Sequence, residues 1–84
     1  MEIRYSPKFV HQYKKLPEEI KRRVKKREVI FSKDPFDPRL KTHKLHGSQN
    51  EFMAFSVDYS YRIIFKSYGD EAVFYEIGTH DIYE

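Results

Sequence analysis

Residues 51–77 read E-F-M-A-F-S-V-D-Y-S-Y-R-I-I-F-K-S-Y-G-D-E-A-V-F-Y-E-I, and this stretch decides the fold. Three runs, 51–57, 61–68 and 72–77, are rich in aromatic and β-branched residues. They are separated by D-Y-S at 58–60 and G-D at 69–70. Runs of that kind read as strands, and short polar links between them read as hairpin turns. The expectation is an antiparallel meander. Alternation along the second run sends Tyr61, Ile63 and Phe65 to one face and Arg62, Ile64 and Lys66 to the other. One face must be covered by other elements, which leaves the second as a working surface.

The covering elements precede the meander. E-I-R-Y at 2–5 alternates polar and apolar, as a short strand does. Ser6-Pro7 then suits a helix start, because serine caps and proline at the first helical position loses no needed hydrogen bond. Phe9, Val10, Tyr13 and Leu16 follow as an apolar stripe. Pro17 breaks the chain, and Glu18 and Glu19 suit the positive end of a second helix. Ile20, Val24 and Phe31 recur on one face of that helix with Ile30 beside them, until Asp34-Pro35 ends it. D-P-F-D-P (34–38) is loop, and residues 41–47 are expected to be extended before a turn at 47–50. The expected fold is α+β, with an N-terminal strand and a two-helix hairpin packed on a twisted antiparallel sheet of about four strands.

The chain has 84 residues, which suits one domain over residues 1–84. Seven tyrosines and seven phenylalanines supply enough ring area for a thin core and argue against disorder. Cysteine is absent, so neither a disulfide framework nor a thiolate metal site is available. No membrane-spanning run and no signal-peptide pattern occurs, and the expected location is the cytoplasm. Sixteen Lys and Arg against thirteen Asp and Glu give a formal charge of +3, unevenly spread. Residues 21–27 read K-R-R-V-K-K-R. Such a run is either a phosphate-attracting stripe or a solvated helix face.

The chemically suggestive segment is K-T-H-K-L-H-G at 41–47, with two lysines and two histidines. The end of the chain, G-T-H-D-I-Y at 78–83, adds a third histidine and a tyrosine. His43 and His46 are three apart, which on an extended segment puts them on opposite sides and disfavours a shared metal. No carboxylate completes a ligand motif, and no glycine-rich phosphate loop is present. Cleaving RNA without a metal requires two proton transfers and stabilisation of a phosphorane. Histidine suits the first task and lysine or arginine the second, while tyrosine stacks on bases. Lys41, His43, Lys44, His46, Arg62, Lys66, His80 and Tyr83 make such a set. The bland alternative is that these are surface side chains of a basic protein. For Arg62 it is a structural salt bridge to Glu51, Asp58 or Glu76.

Three patterns in order, K-L-H-G (44–47), V-D-Y-S-Y-R-I-I-F (57–65) and I-G-T-H-D-I-Y (77–83), resemble the RelE/ParE superfamily of bacterial toxins. The likeness covers nearly the whole chain, and G-T-H points to the RelE-like branch and its YafQ-type members. That resemblance implies a type II toxin acting as a ribosome-dependent mRNA endoribonuclease that blocks translation and needs no cofactor. Its implied partners are ribosome, mRNA and a cognate antitoxin, the last in a heterotetramer or larger complex. The antitoxin is expected to bind by helix-in-groove or strand-addition contacts.

Within H-x-L-x-G, His43 is the matched functional histidine and His46 an extra one. His80 matches the catalytic histidine, Arg62 the arginine for the scissile phosphate, and Tyr83 a terminal aromatic. Relatives carry arginine or histidine in the first meander strand where this chain has Ala54 and Ser56, with Lys41 and Lys44 as replacement charge. The resemblance therefore also leaves room for a ParE-like gyrase inhibitor, or for a catalytically weakened member that only binds antitoxin.

Overall fold

The computed structural model describes residues 1–45 and 52–79. In chain order they form β1 (Glu2–Tyr5), α1 (Pro7–Lys14), α2 (Glu18–Lys33), a 3₁₀ turn (Pro38–Leu40), β2 (His43–Lys44), β3 (Met53–Ser56), β4 (Arg62–Tyr68) and β5 (Glu71–Gly78). The sheet runs β1-β5-β4-β3-β2. From β2 to β5 every neighbour is antiparallel, as the hairpin turns dictate. Gly69 sits at φ 62° in the β4–β5 turn, a conformation glycine adopts without strain.

The sheet is mixed rather than wholly antiparallel. β1 lies beside the last strand and parallel to it, with Glu2 opposite Glu71 and Tyr5 opposite Phe74. Both helices pack on one side. Phe31 of α2 reaches the sheet and meets Phe55, Phe65 and Phe74 at ring-centroid distances of 5.0, 4.8 and 5.1 Å. From α1, Phe9 packs edge-on against Phe74 at 5.6 Å. Val24, Leu40, Val57, Ile63, Ala72 and Ile77 complete the buried cluster. The α2 stripe behaves as its spacing requires. Phe9 and Tyr13 of α1 and Leu16 just beyond it join the core, but Val10 is 39% exposed because it lies at the edge of the stripe.

The junction of β1, α1 and β5 shows how a short edge strand hands over to a helix. β1 ends at Tyr5, whereas β5 continues for four more residues, so its outer backbone groups need other partners. Ser6 supplies two: its N–H donates to Phe74 O at 3.0 Å and its hydroxyl to Tyr75 O at 2.9 Å. The same hydroxyl accepts from the Phe9 N–H at 3.0 Å and caps α1. One turn further on, Gln12 Oε1 accepts the Ile77 N–H at 2.8 Å. The β4–β5 register shifts at Ile64/Phe65, where Ile64 faces Glu76 but Phe65 faces Phe74. Tyr75 is thus the extra residue of a bulge.

The segment expected to be extended at 41–47 is strand only at His43–Lys44 among the described residues. Lys41 instead closes the 3₁₀ turn in the left-handed region at φ 54°.

Replacing Gln12 by leucine keeps the bulk and removes the acceptor, stranding the N–H of a buried residue. The expected cost is about 1–3 kcal/mol. It is read as a lowered urea midpoint at unchanged m-value, with faster amide exchange at Ile77.

Candidate functional site

Residues directly opposite each other in the sheet share a face, so the register defines what lies away from the helices. His43, Ala54 and Ile64 form one row across β2, β3 and β4. Ser56, Arg62 and Gly78 form the next row, and Lys66 with Val73 a third on the other side. Strands lie about 4.8 Å apart and rise about 3.3 Å per residue, so the His43 and Arg62 backbones are roughly 12 Å apart. Long side chains at both positions can reach one nucleotide. Ala54 and Ile64 form a small apolar floor between them, 0% and 6% exposed.

Arg62 is oriented by the turn before it. Asp58 Oδ1 accepts the N–H groups of Ser60 at 2.8 Å and Tyr61 at 2.7 Å, closing the β3–β4 connection. Arg62 Nη1 donates to the carbonyls of Asp58, Tyr59 and Tyr61 at 3.0, 3.2 and 3.2 Å. The guanidinium is therefore held by backbone oxygens at the half-buried edge of the face, with no carboxylate partner among the described residues. Neither Asp58 nor Glu76 neutralises it: Glu76 is paired with Lys8 of α1 at 3.0 Å. Glu51 lies outside the described residues.

The segment carrying His43 is held by a chain of charge-assisted bonds. Arg39 forks onto Asp37 with Nε–Oδ1 3.0 Å and Nη2–Oδ2 2.9 Å, and Asp37 Oδ1 also caps the Arg39 N–H at 2.9 Å. The side-chain bonds from Arg39, followed by the backbone bond, hold the Asp37 carboxyl down to about 2. Arg27 of α2 donates to Arg39 O at 2.9 Å and to Val57 O at 3.2 Å, tying the 3₁₀ turn to the end of β3. Thr42 bonds to Pro35 O. His43 Nδ1 lies 3.0 Å from Lys41 O. A carbonyl can only accept, so the neutral ring carries its proton on Nδ1 and its lone pair on Nε2, the arrangement a general base needs.

The structure brings His43, Arg62 and Lys66 onto one face. It separates Lys44 from them: Lys44 lies opposite Met53, which packs against the core, so it points to the helix side. Lys41 is exposed in the bend ahead of β2. His46, His80 and Tyr83 lie outside the described residues. Gly78, two residues before His80 in sequence, is the cross-strand partner of Arg62. Counting cations did not reveal Arg27 as a structural clamp, because only the tertiary placement of the Arg39 and Val57 carbonyls distinguishes it from its neighbours. Of the stripe residues, Arg22, Arg23 and Lys26 line a groove with Arg27 and with Glu19, which pairs with Arg23 at 3.1 Å. No helix is long and apolar enough to cross a membrane, and no cluster of metal-ligating side chains occurs, both among the described residues.

No family model and no curated protein matches the sequence. Solved structures do. YafQ in the DinJ–YafQ toxin–antitoxin complex of E. coli superposes with TM-score 0.79 at 22% identity, covering 96% of this chain and 93% of that one. YoeB in the heterotetrameric YoeB–YefM toxin–antitoxin complex of Staphylococcus aureus gives 0.78 at 12% identity, covering 95% and 97%. The archaeal RelE–RelB complex of Pyrococcus horikoshii OT3 gives 0.77 at 16% identity, covering 93% and 92%. The chain has the RelE/ParE fold. In that fold the faces of the sheet are unequal: one carries both helices, and the other carries His43, Arg62 and Lys66.

The Asp37–Arg39 fork makes a prediction about pH. Because the folded carboxyl titrates near 2 against an ordinary 3.8, its contribution to stability is complete above about pH 4 and disappears as pH falls through 2. Carbon NMR titration of the Asp37 carboxyl is expected to show the low midpoint. Arg39→Ala should raise it part of the way towards the ordinary value, because the bond from the residue-39 N–H remains.

Proposed function

We propose that this chain is the toxin of a type II toxin–antitoxin pair and acts as an endoribonuclease on mRNA in the ribosome. The observation that carries the reading is the shared face of His43, Arg62 and Lys66 on a fold found in YafQ, YoeB and RelE. Cationic groups and an imidazole on one surface suit a phosphodiester. The Arg62 guanidinium is held in place before any ligand arrives, so it requires little reorganisation when charge develops on the phosphorane.

In this reading a histidine base takes the proton of the 2′-hydroxyl, the 2′-oxygen bonds to phosphorus, and the bond from phosphorus to the 5′-oxygen breaks. A second group returns a proton to the departing 5′-oxygen. His43, through Nε2, and His80 are the two proton carriers, with Tyr83 assisting. Arg62 stabilises the phosphorane, while Lys66, Lys41 and His46 attract the flanking backbone. Lys44, on the other side of the sheet, serves the approach of RNA rather than the cut. Ala54 and Ser56 leave the floor between these groups without a charge of its own, so each remaining group bears more of the barrier.

The partner in this reading is an antitoxin, and the cationic α2 surface suits an acidic one. A general acid or base is worth about 10²–10⁴ in rate. Induced expression is therefore expected to arrest growth and to produce cuts within translated codons, mapped by primer extension. His80→Ala should reduce cleavage by about that factor while the circular dichroism spectrum is unchanged. An equally toxic His80→Ala chain, or a DNA-damage response with intact mRNA, would overturn the proposal.

A further inference from the structure

The outer face carries a second feature, beyond Lys66 and on the side of the β4–β5 turn. Tyr75, the bulge residue, points away from the helices, and its hydroxyl meets that of Tyr68 at 2.8 Å. Its ring stands edge-on to Phe52, with centroids 5.3 Å apart and planes at 78°. Lys66 Nζ lies 5.5 Å from the Phe52 centroid and 5.3 Å from that of Tyr68. Tyr68 is 46% exposed although its ring is held on two sides. None of these rings belongs to the core cluster. Aromatic area of this kind, fixed in orientation and kept on the surface, calls for a flat apolar ligand with a charge beside it.

The surrounding charge favours a nucleotide. Glu71, cross-strand from Tyr68, is paired with Arg4 at 2.7 Å, and Lys66 Nζ stands over the Tyr68 ring. The hydroxyl bond between Tyr75 and Tyr68 holds the Tyr75 phenol protonated and fixes the two rings relative to each other. Along β4, Lys66 lies four steps on from Arg62, about 13 Å at the usual rise. A short length of single strand spans that gap.

We propose that Tyr68 and Tyr75, with Phe52 and Lys66 beside them, form a stacking subsite for one unpaired nucleobase a few nucleotides along the strand from the phosphate at Arg62. It rests on the endoribonuclease reading and adds a position at which that enzyme senses a base. The ring faces stack on the base without regard to its identity, and Lys66 attracts the neighbouring phosphate.

The test uses ribosomes programmed with synthetic mRNAs in which single nucleotides near the cut are made abasic. Toxin concentration is varied to find half-maximal cleavage. For the wild-type chain, one abasic position is expected to raise that concentration by about 5- to 100-fold, the worth of one stacked base. Tyr68→Ala and Tyr75→Ala should show the same rise on intact mRNA and lose sensitivity to the abasic position. Tyr68→Phe should retain most of the effect, because the ring remains. Wild-type cleavage that the alanine variants leave unaltered, or a flat abasic scan, would overturn the subsite alone. Absence of any wild-type cleavage would instead remove the endoribonuclease reading and the subsite with it.

Discussion

The insertion of Phe31 among Phe55, Phe65 and Phe74 is the contact on which the remaining architecture depends. Those three rings come from three adjacent strands, and all four side chains are fully buried. Aromatic pairs at such distances contribute about 0.5–1.5 kcal/mol each beyond the burial of their area. The consequence is as much geometric as energetic. In a strand the side chains alternate, so committing Phe55, Phe65 and Phe74 to the helix side commits Ala54, Ile64 and Tyr75 to the other. The face that carries His43 and Arg62 is therefore defined by what the core requires.

The β5 bulge modifies that rule locally. An additional residue at Tyr75 keeps Phe74 and Ile77 both in the core although they are an odd number apart. It also places two consecutive residues, Tyr75 and Glu76, outside the core. One joins the aromatic ledge and the other pairs with Lys8. Since β1 stops short of this region, Ser6 and Gln12 replace the missing ladder. Helix cap, bulge and edge are thus one arrangement, which carries β5 on towards Gly78 beside Arg62.

Much of this was legible in the residues. Ser6-Pro7, Pro17 and Asp34-Pro35 mark the helix boundaries by local sterics and capping, and the three β-rich runs mark the meander. The parallel pairing of β1 with β5 was not, because a four-residue strand carries no record of a partner so distant in sequence. Alternation placed Arg62 and Lys66 together without the structure. By contrast, which of His43 and Lys44 faces the helices depends on the β2–β3 register, and nothing in the segment itself specifies that. Arg27 looked like its neighbours in the basic run until its carbonyl partners were placed. Val10 is exposed because it lies at the edge of the α1 stripe that meets the sheet.

The proposed endoribonuclease activity requires chemistry at a phosphodiester, with the 2′-hydroxyl as nucleophile on the sheet face opposite Phe31. The most direct measurement is the chemical identity of the RNA ends after cleavage by the purified chain on programmed ribosomes, determined by mass spectrometry. Attack by the 2′-oxygen predicts a 2′,3′-cyclic phosphate, or the 3′-phosphate formed from it, upstream of the cut and a 5′-hydroxyl downstream. Fragments ending in a 3′-hydroxyl and a 5′-phosphate would contradict it.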